Sequence, residues 1–259
     1  MQQASQEKTI SHSERDYQYE LKLAADFQQS VLPEIVDVDY LDIDLIYKPY
    51  DAVSGDVYDF ILNRERELAI FLGDATGHGI SAALMTMMVH IAIDSLTPNL
   101  ATDDSLRKLN QLISSRHTGR SVTGILFRIS PDGLMRVSHA GHPSLIVIPA
   151  DNSELISFKE AGCPLGLFED EPVRYVEERY QLKHGDKIVA YTDGLTEWRN
   201  DTKSAYSVNR LLSFINNNRK LNCKELVSAI YSDVKQFSKT IPNNDDLTLL
   251  ISEYKNKAH

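Results

Sequence analysis

Cysteine is nearly absent: Cys163 and Cys223 are the only two in 259 residues. They lie far apart and in no metal-type spacing, which excludes a disulfide framework and a cysteine-ligated zinc site. Two reduced thiols in a cytosolic protein are expected. No apolar run approaches the roughly 20 residues that a membrane helix needs. The opening MQQASQEKTISHSERD is too polar for a signal peptide, so a cytoplasmic location is expected. Positive charge is scarce as well. The chain has 27 Lys and Arg against 37 Asp and Glu, for a net charge of -10. That balance argues against a nucleic-acid binder, which needs a basic face. There is no GKS or GKT phosphate-binding loop, no internal repeat and no linker between two folding units. What remains is an ordinary globular composition, 42% hydrophobic and 25% charged.

Residues 1–12 are polar and expected to be loose. From Ser13 to Leu32 the pattern is helical, with Tyr17, Leu21, Ala24, Gln28 and Val31 on one face. Pro33 ends the run. Two heptads are too few for a coiled coil. The face therefore packs on its own domain, or it serves as a dimer-forming or linker helix. The expected division is residues 1–33 as a polar segment with that helix, and 34–259 as the main domain.

Strands are expected over Ile43–Tyr47, Val57–Leu62, Leu68–Leu72, Ser121–Ile129, Leu134–His139, Leu145–Ile148, Glu177–Leu182, Lys187–Tyr191 and Leu247–Glu253. Turn signals (NRERE, SPDG, AGHP and KHGD) separate them. Helices are expected over Ile80–Leu96, Asp103–His117, Ser207–Asn216 and Cys223–Ser238. Strands joined mainly by hairpins, with amphipathic helix pairs to cover them, predict one α+β domain: two stacked antiparallel sheets between helix layers.

Aspartates mark the strand ends. Asp56 precedes one strand and Asp74 follows the next, each nine residues from Glu65 in the intervening turn. In a hairpin centred there the two lie opposite each other, with Cβ atoms about 5 Å apart on one face. Like charges at that distance repel unless a cation sits between them. Asp193 ends KIVAYTD, and Asp245 and Asp246 open DDLTLLISE. If these ends converge, the site offers oxygen ligands without Cys or a His pair. Such a site suits Mg²⁺ or Mn²⁺ better than Zn²⁺. Several shared carboxylates point to two ions about 3.5–4 Å apart. A single Asp beside Gly is more often a turn residue; the hairpin symmetry is harder to dismiss. His139 and His142, in SHAGHPSL, lie in a turn and are expected to be structural. Met85, Met87 and Met88 are expected to fill core, and Trp198 to pack. The polar segment Thr196–Tyr206 is a candidate for shaping substrate access.

The segments VSGDVYDF, FLGDATGHGISAAL, AGHPSLIV, GCPLGLF, VAYTDGLTE and NNDDLTLL occur in the same order in metal-dependent phosphatases of the protein phosphatase 2C superfamily. The chain most resembles the sporulation-protein-E/RsbU-like branch, over Leu21–Glu253. ELKLAADFQQSVLP resembles the helix that precedes the catalytic domain there. The resemblance implies an α-β-β-α sandwich (the PPM-type fold), two Mn²⁺ or Mg²⁺ ions, and hydrolysis of phosphoserine or phosphothreonine by a metal-activated water. It implies Asp56, Asp74, Asp193 and Asp245 as metal ligands with the Ala75 carbonyl, Asp74 as the bridge, Asp59 as a supporting residue and Asp246 as a lesser candidate. It further implies a phosphorylated STAS-domain anti-sigma-factor antagonist as substrate and a sigma-factor partner-switching pathway. The family's general-acid His has no match two residues after Asp74, where Thr76 stands, so no such role passes to His78. The phosphate-binding Arg of eukaryotic members has no clear counterpart beyond Lys48. No Cys-based phosphatase motif is present. The alternatives are a catalytically silent module of the same fold that binds a partner, and a hydrolase of small phosphate esters.

Overall fold

The computed structural model describes residues 2–116, 119–159, 161–168 and 174–256. Alternation along one hairpin sets the layering. On β2 (Asp56–Leu62) and β3 (Leu68–Ala75) the even-numbered Tyr58, Phe60, Leu68, Ile70 and Leu72 enter one apolar cluster. The odd-numbered Val57, Ala69, Phe71 and Ala75 enter another. A strand places successive side chains on opposite faces, so one hairpin feeds both layers. The first cluster lies between two sheets, because it also takes Leu145, Val147, Ile188, Ala190 and Leu250 from the facing strands. The second lies beneath α2 (Ile80–Asp94) and α3 (Thr102–Ser114), which contribute Val89, Leu106 and Leu109. Each of these fully buried side chains contributes roughly 1.5–3 kcal/mol.

Sheet one has the order β1-β10-β9-β6-β7, comprising Leu41–Lys48, Leu247–Tyr254, Lys187–Tyr191, Leu145–Ile148 and Ile156–Phe158. Sheet two has the order β2-β3-β4-β5-β8, where β4 is Val122–Ile129, β5 is Leu134–Ala140 and β8 is Glu178–Gln181. All the pairings within both sheets are antiparallel. The outer face of sheet one is covered by α5 (Val208–Asn217) and α6 (Cys223–Ser238), through Leu211, Ile215, Leu226 and Ile230. This is the expected α-β-β-α sandwich.

Three differences from the sequence reading have local causes. The first helix, α1, runs Gln2–Val31, so residues 2–12 are helical and not loose. Gln, Ala, Glu and Lys are good helix formers, and no Gly or Pro interrupts them. The buried stripe of α1 is Leu21, Ala25 and Gln28, and Tyr17 and Ala24 face outward. Leu21 and Gln28 of the expected face are buried, and Ala25 takes the place of Ala24 in an i, i+4, i+7 stripe. Finally, β7 and the five-residue α4 (Asp193–Glu197) are too short for periodicity to reveal. The expected extension of α3 to His117 falls outside the described residues.

Gln28 fastens α1 to the domain. Its amide donates to the Ser54 carbonyl at 2.8 Å and to Thr86 Oγ1 of α2 at 3.0 Å, while its Oε1 accepts from Ser54 N at 2.9 Å. A single buried side chain thus joins α1, α2 and the loop that leads into Asp56.

Candidate metal centre

The β2–β3 register places Asp56 directly opposite Asp74, as the symmetry about Glu65 predicts. Both positions are even-numbered, so both side chains aim into the gap between the sheets. Asp56 is buried, and its Oδ2 accepts from Thr192 Oγ1 at 2.9 Å and Thr248 Oγ1 at 2.6 Å. Those threonines belong to the other sheet, at the end of β9 and in β10. They are also locked to each other, since Thr248 N donates to Thr192 Oγ1 at 2.9 Å. Both donors spend themselves on one oxygen, and Asp56 Oδ1 is buried with no protein partner among the described residues.

Asp193 and Asp245 come from sheet one. Asp193 opens α4 immediately after β9, and Asp245 lies just before β10. A glycine brings them together: a Cβ on Gly194 would sit 1.8 Å from the carbonyl oxygen of Asp246 and 3.4 Å from Asp245 Cβ. Gly55 does similar work on the other side, where a Cβ would meet the Ala75 carbonyl oxygen at 3.2 Å. Between β3 and α2, Gly77 and Gly79 take φ values of 93° and 74°, the left-handed turn that glycine allows.

Burial and mutual repulsion raise the pKa values of these carboxyls. Asp74 is pushed up to about 8, by burial first and then by the charges of Asp193, Asp245 and Asp246. Asp56 is raised well above the usual range by burial and by Asp74. Asp193 rises to about 6 through burial, Asp245 and Glu197. Burial also raises Asp245. Among the described residues no three acidic, His or Cys side chains lie at the spacing of a shared ion. An all-oxygen donor set with an orphaned buried Oδ1 fits hard divalent cations and fits no softer metal. Since two threonines hold Asp56 from behind, Thr192→Val and Thr248→Val should each weaken Mn²⁺ affinity about 10–100-fold, measured by titration calorimetry.

The other expected residues divide clearly. Asp246 accepts from Tyr50 N at 2.7 Å and Gly55 N at 2.6 Å, so both its oxygens pin the loop that carries Asp56. Asp59 is no support to the centre. It meets His90 Nδ1 of α2 at 2.6 Å, because an odd offset from Asp56 turns it to the helix face. His78 is exposed and lies near Asp245. His139 and His142 are buried and structural; His142 Nδ1 bonds Thr123 Oγ1 at 3.0 Å, and burial lowers their pKa values to about 4 and about 3. Met85 and Met88 pack in the core under α2, with Met87 partly buried. Trp198 packs too, donating to the Ile241 carbonyl at 2.9 Å. Sequence reading placed Gln28 on the packing face of α1 but missed Thr192, Thr248 and Glu197. Thr248 lies two residues from Asp246 and Thr192 two residues from the core-facing Ala190, and that parity was the available signal.

The geometry can now be set beside known proteins. Residues 64–255 match the family described as Stage II sporulation protein E (SpoIIE). The chain belongs to the SpoIIE family. It thereby stands among serine/threonine phosphatases with the protein phosphatase 2C fold. It is 27% identical over 248 residues to phosphoserine phosphatase RsbU of Bacillus subtilis, covering 94% of this chain and 72% of RsbU. It is 26% identical over 185 residues to phosphoserine phosphatase RsbP of the same organism, covering 69% of this chain but only 45% of RsbP. In three dimensions it is similar to the SiaA PP2C domain of Pseudomonas aeruginosa, with a TM-score of 0.83, 21% identity, and 95% of this chain and 98% of that one covered.

Proposed function

We propose that this SpoIIE-family chain removes phosphate from phosphoserine or phosphothreonine in a protein, with two Mn²⁺ or Mg²⁺ ions held by Asp56, Asp74, Asp193, Asp245 and the Ala75 carbonyl. The observation that carries the reading is the opposed Asp56–Asp74 pair, the first buried and the second half-buried, with Asp193 and Asp245 near enough to act on the charge of Asp74. When bound, such ions neutralise a phosphate dianion and make a water acidic enough to attack it near neutral pH. The chain supplies the rest. Asp74 would hold the ions together with Asp193 and Asp245, whose charges it feels. Thr192 and Thr248 fix the rotamer of Asp56, and Asp246 fixes its loop. No protein nucleophile is required, and His78 is given no proton-transfer role. The intact carboxylate set speaks against a catalytically silent module.

Similarity to RsbU and RsbP supports a substrate of the partner-switching kind: a phosphorylated STAS-domain anti-sigma-factor antagonist, met in the cytoplasm. With Mn²⁺ the purified protein should dephosphorylate such a domain, and a chelator should abolish this. Activity that persists in chelator, or nucleotide turnover far above phosphoprotein turnover, would sink the reading.

We also propose a homodimer through α1. Leu23 and Phe27 of α1 are 45% and 63% exposed, and Leu84 and Ile91 of the neighbouring α2 are 66% and 67% exposed. Scattered single apolar residues are normal on a surface, whereas several on adjacent helices mark an interaction face. Deleting residues 1–30 should convert dimer to monomer in light scattering and change the turnover rate. If neither changes, α1 has no such role.

A further inference from the structure

Beside Asp245 lies a recess of about 270 Å³ lined by Lys48, Tyr50, Trp198, Tyr231, Pro242 and Asp245, among others. We propose that it receives an apolar or aromatic side chain of the substrate, within two residues of the phosphorylated serine. The inference rests on the phosphatase reading and adds a specificity site to it.

Three observations converge. The recess shares Asp245 with the metal centre, so a peptide whose phosphate lies at the carboxylates passes its mouth. Extended chain advances about 3.3–3.6 Å per residue, which puts a neighbouring side chain within reach. Its walls are aromatic and aliphatic. Trp198 has spent its only donor on the Ile241 carbonyl at 2.9 Å, and its ring lies 6.4 Å from that of Tyr231. Tyr50 is 52% exposed on the opposite side, an aromatic ring the fold leaves largely uncovered. The volume falls below the roughly 300–1,000 Å³ of small-molecule pockets and suits one side chain. The frame is rigid, since Lys48 pairs with Leu247 in the β1–β10 ladder and Tyr50 N donates to Asp246 Oδ1 at 2.7 Å. Lys48 is the only cation among the described lining residues, and it places positive charge at the rim toward an anionic phosphopeptide.

The test uses phosphoserine peptides carrying Ala, Glu, Leu or Phe at the two positions on either side, together with p-nitrophenyl phosphate, all with Mn²⁺. Leu or Phe at one position should raise kcat/KM over Ala on the order of tenfold, mainly through KM. Tyr231→Ala and Tyr50→Ala should each collapse that preference, lowering the ratio of peptide to p-nitrophenyl phosphate kcat/KM by a similar factor. A flat peptide profile from enzyme active on p-nitrophenyl phosphate overturns the recess alone. So does a preference that survives in both variants. Absence of Mn²⁺-dependent turnover on every substrate overturns the phosphatase reading itself, and the recess with it.

Discussion

Asp74→Asn should abolish turnover and, at the same time, make the metal-free protein more stable. The activity loss follows from position. Asp74 faces Asp56 across the hairpin and feels Asp193 and Asp245. Removing its charge takes away several kcal/mol of metal-borne transition-state stabilisation, or on the order of 10³ in kcat/KM. The stability gain has the opposite sign because opposed like charges weaken a sheet. Relief should amount to on the order of 1 kcal/mol, a rise of about 2–4 °C in Tm for a chain of this size. Proton linkage adds a signature. The folded Asp74 carboxyl titrates at about 8, above its ordinary 3.8. Its contribution to stability is therefore fully present below about pH 4 and is lost as the pH rises through about 8. In chelator the wild type should melt lower at about pH 8 than at about pH 5, and Asp74→Asn should flatten that slope. With Mn²⁺ the order should reverse, since the ion binds the deprotonated form. Scanning calorimetry at both pH values checks all of these. A variant that is less stable than wild type in chelator removes the repulsion argument, and a variant that retains turnover removes Asp74 from the centre.

Gly194→Ala should be the most damaging single-methyl change in the molecule. The added carbon would lie 1.8 Å from the Asp246 carbonyl oxygen, which is backbone and cannot rotate aside. Either α4 or the start of β10 must move, and each carries a carboxylate of the centre. Overpacking of this kind costs about 1–3 kcal/mol and occasionally more, so Tm should fall by about 2–12 °C. Mn²⁺ affinity should fall further than the stability loss alone explains. Calorimetric titration of the folded fraction separates the two effects. A Gly194→Ala variant that binds Mn²⁺ as tightly as wild type would show that α4 and β10 need not touch.

The sheets were legible because their alternation is strong. Val57, Ala69 and Phe71 part from Tyr58, Ile70 and Leu72 residue by residue, and a turn centred on Glu65 is enough to set Asp56 opposite Asp74. The second half of the centre was legible only as a list of strand-end aspartates, and the family resemblance chose among them. What sequence could not reach is contact across layers. Thr192 and Thr248 look like ordinary strand residues until two sheets stack, and Gln28, which its spacing puts on the packing face of α1, shows its hydrogen-bond partners only once α1 docks. Asp59 was given its supporting role by the family resemblance, while its odd offset from Asp56 already turned it toward α2.

The strand order β1-β10-β9 has a consequence in time. The last strand of the sandwich to leave the ribosome is an interior one, and it must enter between two partners made long before. It brings Thr248 and, just ahead of it, Asp245. A nascent chain that has exposed Asp56, Asp74 and Asp193 therefore still lacks Asp245 and one of the two hydroxyls that aim Asp56. The carboxylate cluster is completed in a single late step rather than by degrees. A copy that stops short of Asp245 leaves the cluster open, however well the earlier strands have packed.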